Sequence, residues 1–384
     1  MNGFNERATD QLTRQIKLSL APIKHVLEDE TVTDIIIMGH RTVITKRVGE
    51  ELRQIEARWE SEDDLVTACS QVGRNMKRPI SQDQPLLDAR LPDGSRINIV
   101  FPPCHNSDGP CVTIRKFPKD RLTAGKLLEK MSTDKNGIEI LQAAISGGKN
   151  ILISGGTGSG KTTLLNILAS FISRSDRVIS IEDSRELGLD HPLWSALETK
   201  QKLYDDDQEI DLARLVVNAL RMFPRWLILG EVRGPEAWDL MRAFNTGHSG
   251  LATIHANDVR GALMALENLS MTAVDMRVEP LREYISRAIN VVVQIVRYPD
   301  DSRKIVDISE VAGLEAGAIP TYRMNRLHYY DVQGYTGGKV IGEFRMDKKP
   351  SFRHELRNFN VAVPSWWNET KAGCKGITMV GKNV

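Results

Sequence analysis

Residues 150–162 read Asn150, Ile151, Leu152, Ile153, Ser154, Gly155, Gly156, Thr157, Gly158, Ser159, Gly160, Lys161 and Thr162. The last eight satisfy G-x-x-x-x-G-K-[ST]. The apolar run before them has no polar alternation, as expected of a strand buried on both faces. From Thr162 to Ile172 the apolar residues recur at helical spacing. A strand, a glycine-rich curl and a helix in that order turn successive main-chain N–H groups and a helix N-terminus towards phosphate. Lys161 is then expected to reach the β- and γ-phosphates of a nucleotide and the Thr162 hydroxyl to coordinate Mg²⁺, with Gly155 to Gly160 and Thr163 completing the cradle. The bland alternative is a glycine-rich turn with an exposed lysine, which the flanking strand and helix disfavour.

Working outward, two further apolar runs end in acids. Trp226 to Leu229 leads through Gly230 to Glu231, and Val178 to Ile181 leads to Glu182 and Asp183. A carboxylate at the end of a strand next to the phosphate-loop strand can order Mg²⁺ and the attacking water, so Glu231 and Glu182 are candidates for both tasks. Either acid alone could be a helix cap or a solvated side chain; two such strand ends after one phosphate loop make that coincidence harder to hold. Helical spacing over 162–172, 212–222 and 235–244 separates the runs. Strands alternating with helices predict a parallel or mixed sheet in layered α/β architecture.

The region before the loop has another grammar. Residues 9–29 suggest a helix and a second one begun at Pro22. Short strands are expected at 33–38, 43–45, 52–59, 86–91, 96–101 and 112–117, with Ser61 opening a helix that Pro79 ends. Residues 1–116 therefore read as a smaller, mostly antiparallel α+β domain. Residues 117–123 read as a linker, hinged near Lys119, 124–344 as the nucleotide-binding domain, and 345–384 as a basic C-terminal tail. That tail holds eight Lys and Arg against three Asp and Glu. The segment from Tyr204 to Glu209 reads as an acidic solvated loop.

Composition limits what else the chain can be. With 41% hydrophobic and 26% charged residues among 384, it falls in the ordinary globular range. A net charge of +1 supplies no global field for nucleic acid or an anionic membrane. The four cysteines, Cys69, Cys104, Cys111 and Cys374, form no CxxC pair, which argues against a cysteine zinc site. The N-terminus carries charge where a signal peptide would be apolar, and no apolar run reaches about 18 residues. A cytoplasmic protein is expected.

The boxes SGGTGSGKTT (154–163), ISIEDSREL (179–187), LILGEVRGPEA (227–237) and NTGHSGLATIHAND (245–258) together resemble those of the type II/IV secretion ATPases, most nearly the TrbB conjugative-transfer and CpaF branch. DARLPDGSRIN (88–98) and VTIRKF (112–117) resemble that branch's N-terminal domain. The resemblance implies a RecA-like P-loop ATPase domain behind a PAS-like N-terminal domain. It implies ATP and Mg²⁺ as ligands, a homo-oligomeric and hexameric ring, and a place at the inner-membrane machinery of secretion or conjugation, with a Tad or type IV pilus motor as the alternative. Glu231 would activate or orient water, Glu182 would assist at metal and water, and His255 would sense the γ-phosphate. Arg96 and Arg115 match N-terminal arginines that reach nucleotide, although surface arginines on strands would look the same. His248 and Arg233 lie inside boxes without an assigned role. The paired-CxxC insert of the GspE branch is absent from this sequence. A RecA-like nucleic-acid motor is a further alternative, kept open by the basic tail with Trp366 and Trp367; balanced charge and 6% aromatics argue against direct nucleic-acid binding.

Overall fold

The computed structural model describes residues 12–47, 50–105, 109–117, 123–130, 132–200, 208–317, 319–358, 363 and 367. The chain divides into an N-terminal unit ending at Arg121 and a second unit beginning at Leu122. Residues 118–122, which hold the expected hinge, and 201–207, most of the expected acidic loop, lie outside the described residues. Among the described residues no helix is long and apolar enough to cross a membrane.

In the N-terminal unit, helix α1 covers residues 12–19, a 3-10 turn Ala21–Ile23 contains Pro22, and α2 follows at Lys24–Glu28. Six strands, β1 (Val32–Met38), β2 (Thr42–Arg47), β3 (Arg53–Ile55), β4 (Leu86–Arg90), β5 (Arg96–Val100) and β6 (Cys111–Arg115), form one sheet in the order β3-β2-β1-β6-β5-β4. Every pairing in it is antiparallel. Alternate residues Ile35, Ile37, Ile97, Ile99, Val112 and Ile114 are fully buried, the signature of a sheet with one packed face. Helix α3 (Glu62–Asn75) packs against the same core through Leu65, Cys69 and Val72. Ser61 caps it by accepting from the Asp64 amide, and three acids in the first turn complement its dipole.

The second unit contains α4 (Ala124–Glu129), α5 (Lys135–Ser146), β7 (Ile151–Ser154), α6 (Lys161–Ala169), β8 (Val178–Glu182), β9 (Trp194–Glu198), α7 (Leu212–Ala219), β10 (Trp226–Val232), α8 (Glu236–Asn245), β11 (Ser249–Ile254), α9 (Val259–Met271), α10 (Val278–Ala288), β12 (Val291–Arg297), β13 (Arg303–Glu315), β14 (Thr321–Thr336), β15 (Lys339–Met346) and α11 (Arg353–Asn358). Its nine strands run β15-β14-β13-β12-β7-β11-β10-β8-β9. From β12 to β9 neighbouring strands are parallel, and β13 to β15 extend the sheet as an antiparallel meander. Both faces are covered. Ile151 and Ile153 of β7 join the cluster formed with α5 and α6, whereas Leu152 joins the opposite one with α7, α8, α9 and α10. One strand thus feeds two cores, which is why its sequence shows no polar alternation.

Part of the basic C-terminal stretch packs into the second unit. β15 continues to Met346, and Phe352, Leu356 and Trp367 belong to the α5–α6 core with 4%, 0% and 2% exposure. Buried Glu310 of β13 anchors the connection by accepting from the Ser351 and Phe352 amides, the Ser351 hydroxyl and the Asn325 side chain. A charge count registers the basic residues of this stretch and passes over the spaced apolar side chains among them. Trp366 and residues 368–384 lie outside the described residues.

Candidate active site

The phosphate loop leaves β7 at Ser154 and closes into α6 at Lys161. Gly158 and Gly160 have φ of +72° and +101°, backbone that a side chain would strain. No side chain caps α6 at Gly160, so its first amides stay open to an anion. Lys161 is 8% exposed. Its Nζ donates to the Gly155 and Gly156 carbonyls at 3.0 and 3.2 Å and stands 3.3 Å from the His255 ring. Burial lowers its pKa, against the pull of the Glu231 charge. An ammonium set in a nearly closed cradle, its direct partners being main-chain carbonyls and an imidazole, is suited to a polyphosphate.

β10 is not the immediate neighbour of the phosphate-loop strand, as the sequence suggested: β11 lies between β7 and β10. The inserted strand ends at Ile254, which brings His255 between Lys161 and Glu231. His255 Nε2 is 2.7 Å from Glu231 Oε1. Glu231 Oε2 in turn accepts from Arg233 Nη2 at 2.5 Å, and Arg233 Nη1 reaches Asp183 at 3.4 Å. Bonding to Glu231 raises the Arg233 pKa. A continuous polar chain therefore runs Lys161–His255–Glu231–Arg233–Asp183 across the ends of three parallel strands. β10–β11 pairing jumps from Leu229–Ala252 to Val232–Ile254. That irregularity sits at Gly230 and Glu231 and turns the carboxylate towards His255. An open cleft of about 370 Å³ beside Glu231, Arg233 and His255 extends to Asn268 and Leu269 of α9.

Glu182 is placed differently from Glu231. It is 3% exposed, and its Oε1 accepts from the Glu186 and Leu187 amides at 2.8 and 2.9 Å. Its Oε2 is buried without a hydrogen-bond partner. Burial pushes its carboxyl up to about 7. The side chain lies over Gly230, where a Cβ would approach Glu182 Cγ to 2.8 Å; the glycine before Glu231 is the space Glu182 occupies.

Thr162 and Thr163 lie half-buried in the first turn of α6. Arg96 and Arg115 belong to the N-terminal unit, directly opposite one another on β5 and β6. Arg115 Nε donates to Asp34 at 3.1 Å, and Arg96 lies 3.8 Å from Asp88. His248 follows α8 and contacts the Ala243 carbonyl at 3.1 Å. Sequence reasoning passed over Glu236: 4% exposed, it accepts from the Arg233 and Gly234 amides at 2.6 and 2.8 Å and so shapes the turn that presents Arg233. Its signal was a glutamate at the start of a helix, three residues after Arg233.

Comparison with known proteins places the chain in a family. The family model described as "Type II/IV secretion system protein" matches residues 17–352. The conjugal transfer protein TrbB of Rhizobium radiobacter is 30% identical over 318 residues, covering 80% of this chain and 92% of the relative. An uncharacterized protein of Methanocaldococcus jannaschii is 33% identical over 264 residues, 67% of this chain and 47% of that protein. The chain thus spans about half the length of this archaeal relative, and a quarter of a second one. Among solved structures, the ATPase DotB of Legionella pneumophila has a TM-score of 0.56 at 22% identity, over 77% of this chain and 80% of that one, a likeness of fold.

Proposed function

Because the chain belongs to the type II/IV secretion system protein family, we propose that it is an ATP-hydrolysing motor of a type IV secretion or conjugative transfer machine. The observation that carries this reading is the direct line from the phosphate-loop ammonium through His255 to Glu231. It sets a phosphate-binding cation, a ring able to report the terminal phosphate and a carboxylate able to orient water within reach of one another.

The residues fit Mg²⁺-ATP. Main-chain amides from Gly156 to Thr163 and the Lys161 ammonium would hold the phosphates, and the Thr162 hydroxyl would hold the metal. Bound Mg²⁺ would supply neutralisation of the phosphate charge. Glu231 orients the attacking water from the cleft side. His255, already touching both Lys161 and Glu231, transmits occupancy of the terminal position to that carboxylate. For Glu182, buried and tied to two amides, positioning of the 183–187 loop and the Gly230 turn fits better than metal ligation. Arg96 and Arg115 lie opposite one another on β5 and β6, each beside a carboxylate, and we assign them to nucleotide contact. Assembly into a hexameric ring at the inner membrane completes the proposal.

The test is Glu231→Gln in the purified full chain. Nucleotide affinity should remain within a few-fold of wild type while phosphate release falls by about a hundredfold or more. Equal loss of binding and turnover would reduce Glu231 to a structural residue.

A further inference from the structure

The far side of the phosphate loop carries two arginines to which no role has been assigned. β12 ends at Arg297 and β13 starts at Arg303, so the turn between them presents both at one end of the sheet. Arg303 Nε donates to the Gly158 carbonyl at 3.1 Å. Its Cδ lies 3.2 Å from where a Cβ on Gly160 would stand, and Arg297 Nη1 lies 3.5 Å from the corresponding position on Gly158. Asp301 accepts from Arg297 Nε at 2.8 Å and fixes its guanidinium beside the loop. Both arginines remain exposed to solvent. Two like charges thus stand on one side of the loop with Asp301 offsetting one of them, an arrangement that an anion would relieve.

Sheet order gives these arginines a direction. The strands run β12-β7-β11-β10, so Arg297 and Arg303 flank the phosphate loop on the side opposite His255 and Glu231. In a site whose terminal phosphate faces His255 and Glu231, the β12 side receives the other end of the polyphosphate. Resting on the ATP-binding reading above, we propose that Arg297 and Arg303 contact the α-phosphate of the bound nucleotide and form the nucleoside-side wall of the site. Guanidinium groups suit this position because they donate in a fork that matches two phosphate oxygens. Arg303 also holds the loop in its left-handed curl through the Gly158 carbonyl.

Equilibrium binding of ADP and of the two diastereomers of its α-thio analogue, with Mg²⁺, tests the contact. Wild type should prefer one diastereomer, because sulfur replaces a specific α-oxygen. Arg297→Ala or Arg303→Ala should weaken ADP about tenfold and erase that preference; Arg303→Lys, which keeps the charge and loses the fork, should restore affinity only in part. Unchanged ADP affinity in both alanine variants would overturn the proposal. So would a wild-type protein indifferent to the diastereomers, or a preference that survives both substitutions, since the arginines would then only shape the loop. A wild-type chain that binds no nucleotide at all would instead sink the ATPase reading.

Discussion

The two sheets of this protein solve different problems with the same backbone. The N-terminal sheet packs one face and, on the other, aligns charged side chains across neighbouring strands: Arg90, Arg96, Arg115, Asp34 and Lys46 occupy successive register positions from β4 to β2. The second sheet buries both faces of its parallel strands, so β7, β8 and β11 are buried throughout, and its chemistry is confined to the strand ends. Polar residues on the first sheet cost little and can be spread across it. In the second they must be concentrated at one end, and each buried one has a definite effect on stability. Glu182 and the arginine row are the sharpest cases of each.

The largest stability effect is expected at Glu182. Its folded-state carboxyl titrates near 7, above its ordinary value of 4.5. The folded protein therefore holds a proton that the unfolded chain releases above 4.5. The associated stability is complete below about 4.5 and is lost as pH rises through about 7, on the order of 3 kcal/mol in all. Glu182→Gln keeps an acceptor for the two amides and removes the titration. Urea unfolding of nucleotide-free protein at pH 5 and pH 8 should show wild type losing stability across the interval and the variant staying nearly level. Parallel pH slopes would mean that Glu182 is not the buried acid described here.

On the N-terminal sheet the same measurement should barely move. Arg96→Ala and Arg115→Ala remove half-exposed and exposed side chains whose ion pairs contribute little in water, so unfolding should shift by no more than about 0.5 kcal/mol. Under the proposed nucleotide contact, turnover should fall by about tenfold or more. Full activity in both variants would return the pair to ordinary surface arginines and dissolve the functional half of the comparison.

The contrast between the sheets was largely legible in residue patterns. Alternation in 96–100 and its absence in 151–154 follow directly from one-sided and two-sided burial, and Ser61 announces α3 through its cap. The phosphate loop was legible because its glycines, lysine and threonine are contiguous. Strand order was not. Which parallel strand lies beside which depends on how each crossover helix returns to the sheet, and nothing in residues 226–231 or 249–254 says that β11 would insert between β7 and β10. The roles of Glu182 and Glu231 looked alike because both end apolar runs; burial against Gly230 and the amides of 186 and 187 separates them, and that is tertiary. Arg303 lies far along the chain from Gly158, and its donor bond to that carbonyl leaves no trace in local sequence. The C-terminal anchor was obscured because Phe352, Leu356 and Trp367 are few among many basic residues.

The proposed function rests on the loop from Gly155 to Thr162 holding a nucleoside triphosphate through Lys161. Equilibrium binding of Mg²⁺-ATP, measured alongside phosphate release in Lys161→Ala and wild type, tests it most directly. Wild type should bind and hydrolyse ATP, and the variant should lose hydrolysis to background together with most of its affinity. A variant that hydrolyses ATP at a near-normal rate would contradict it.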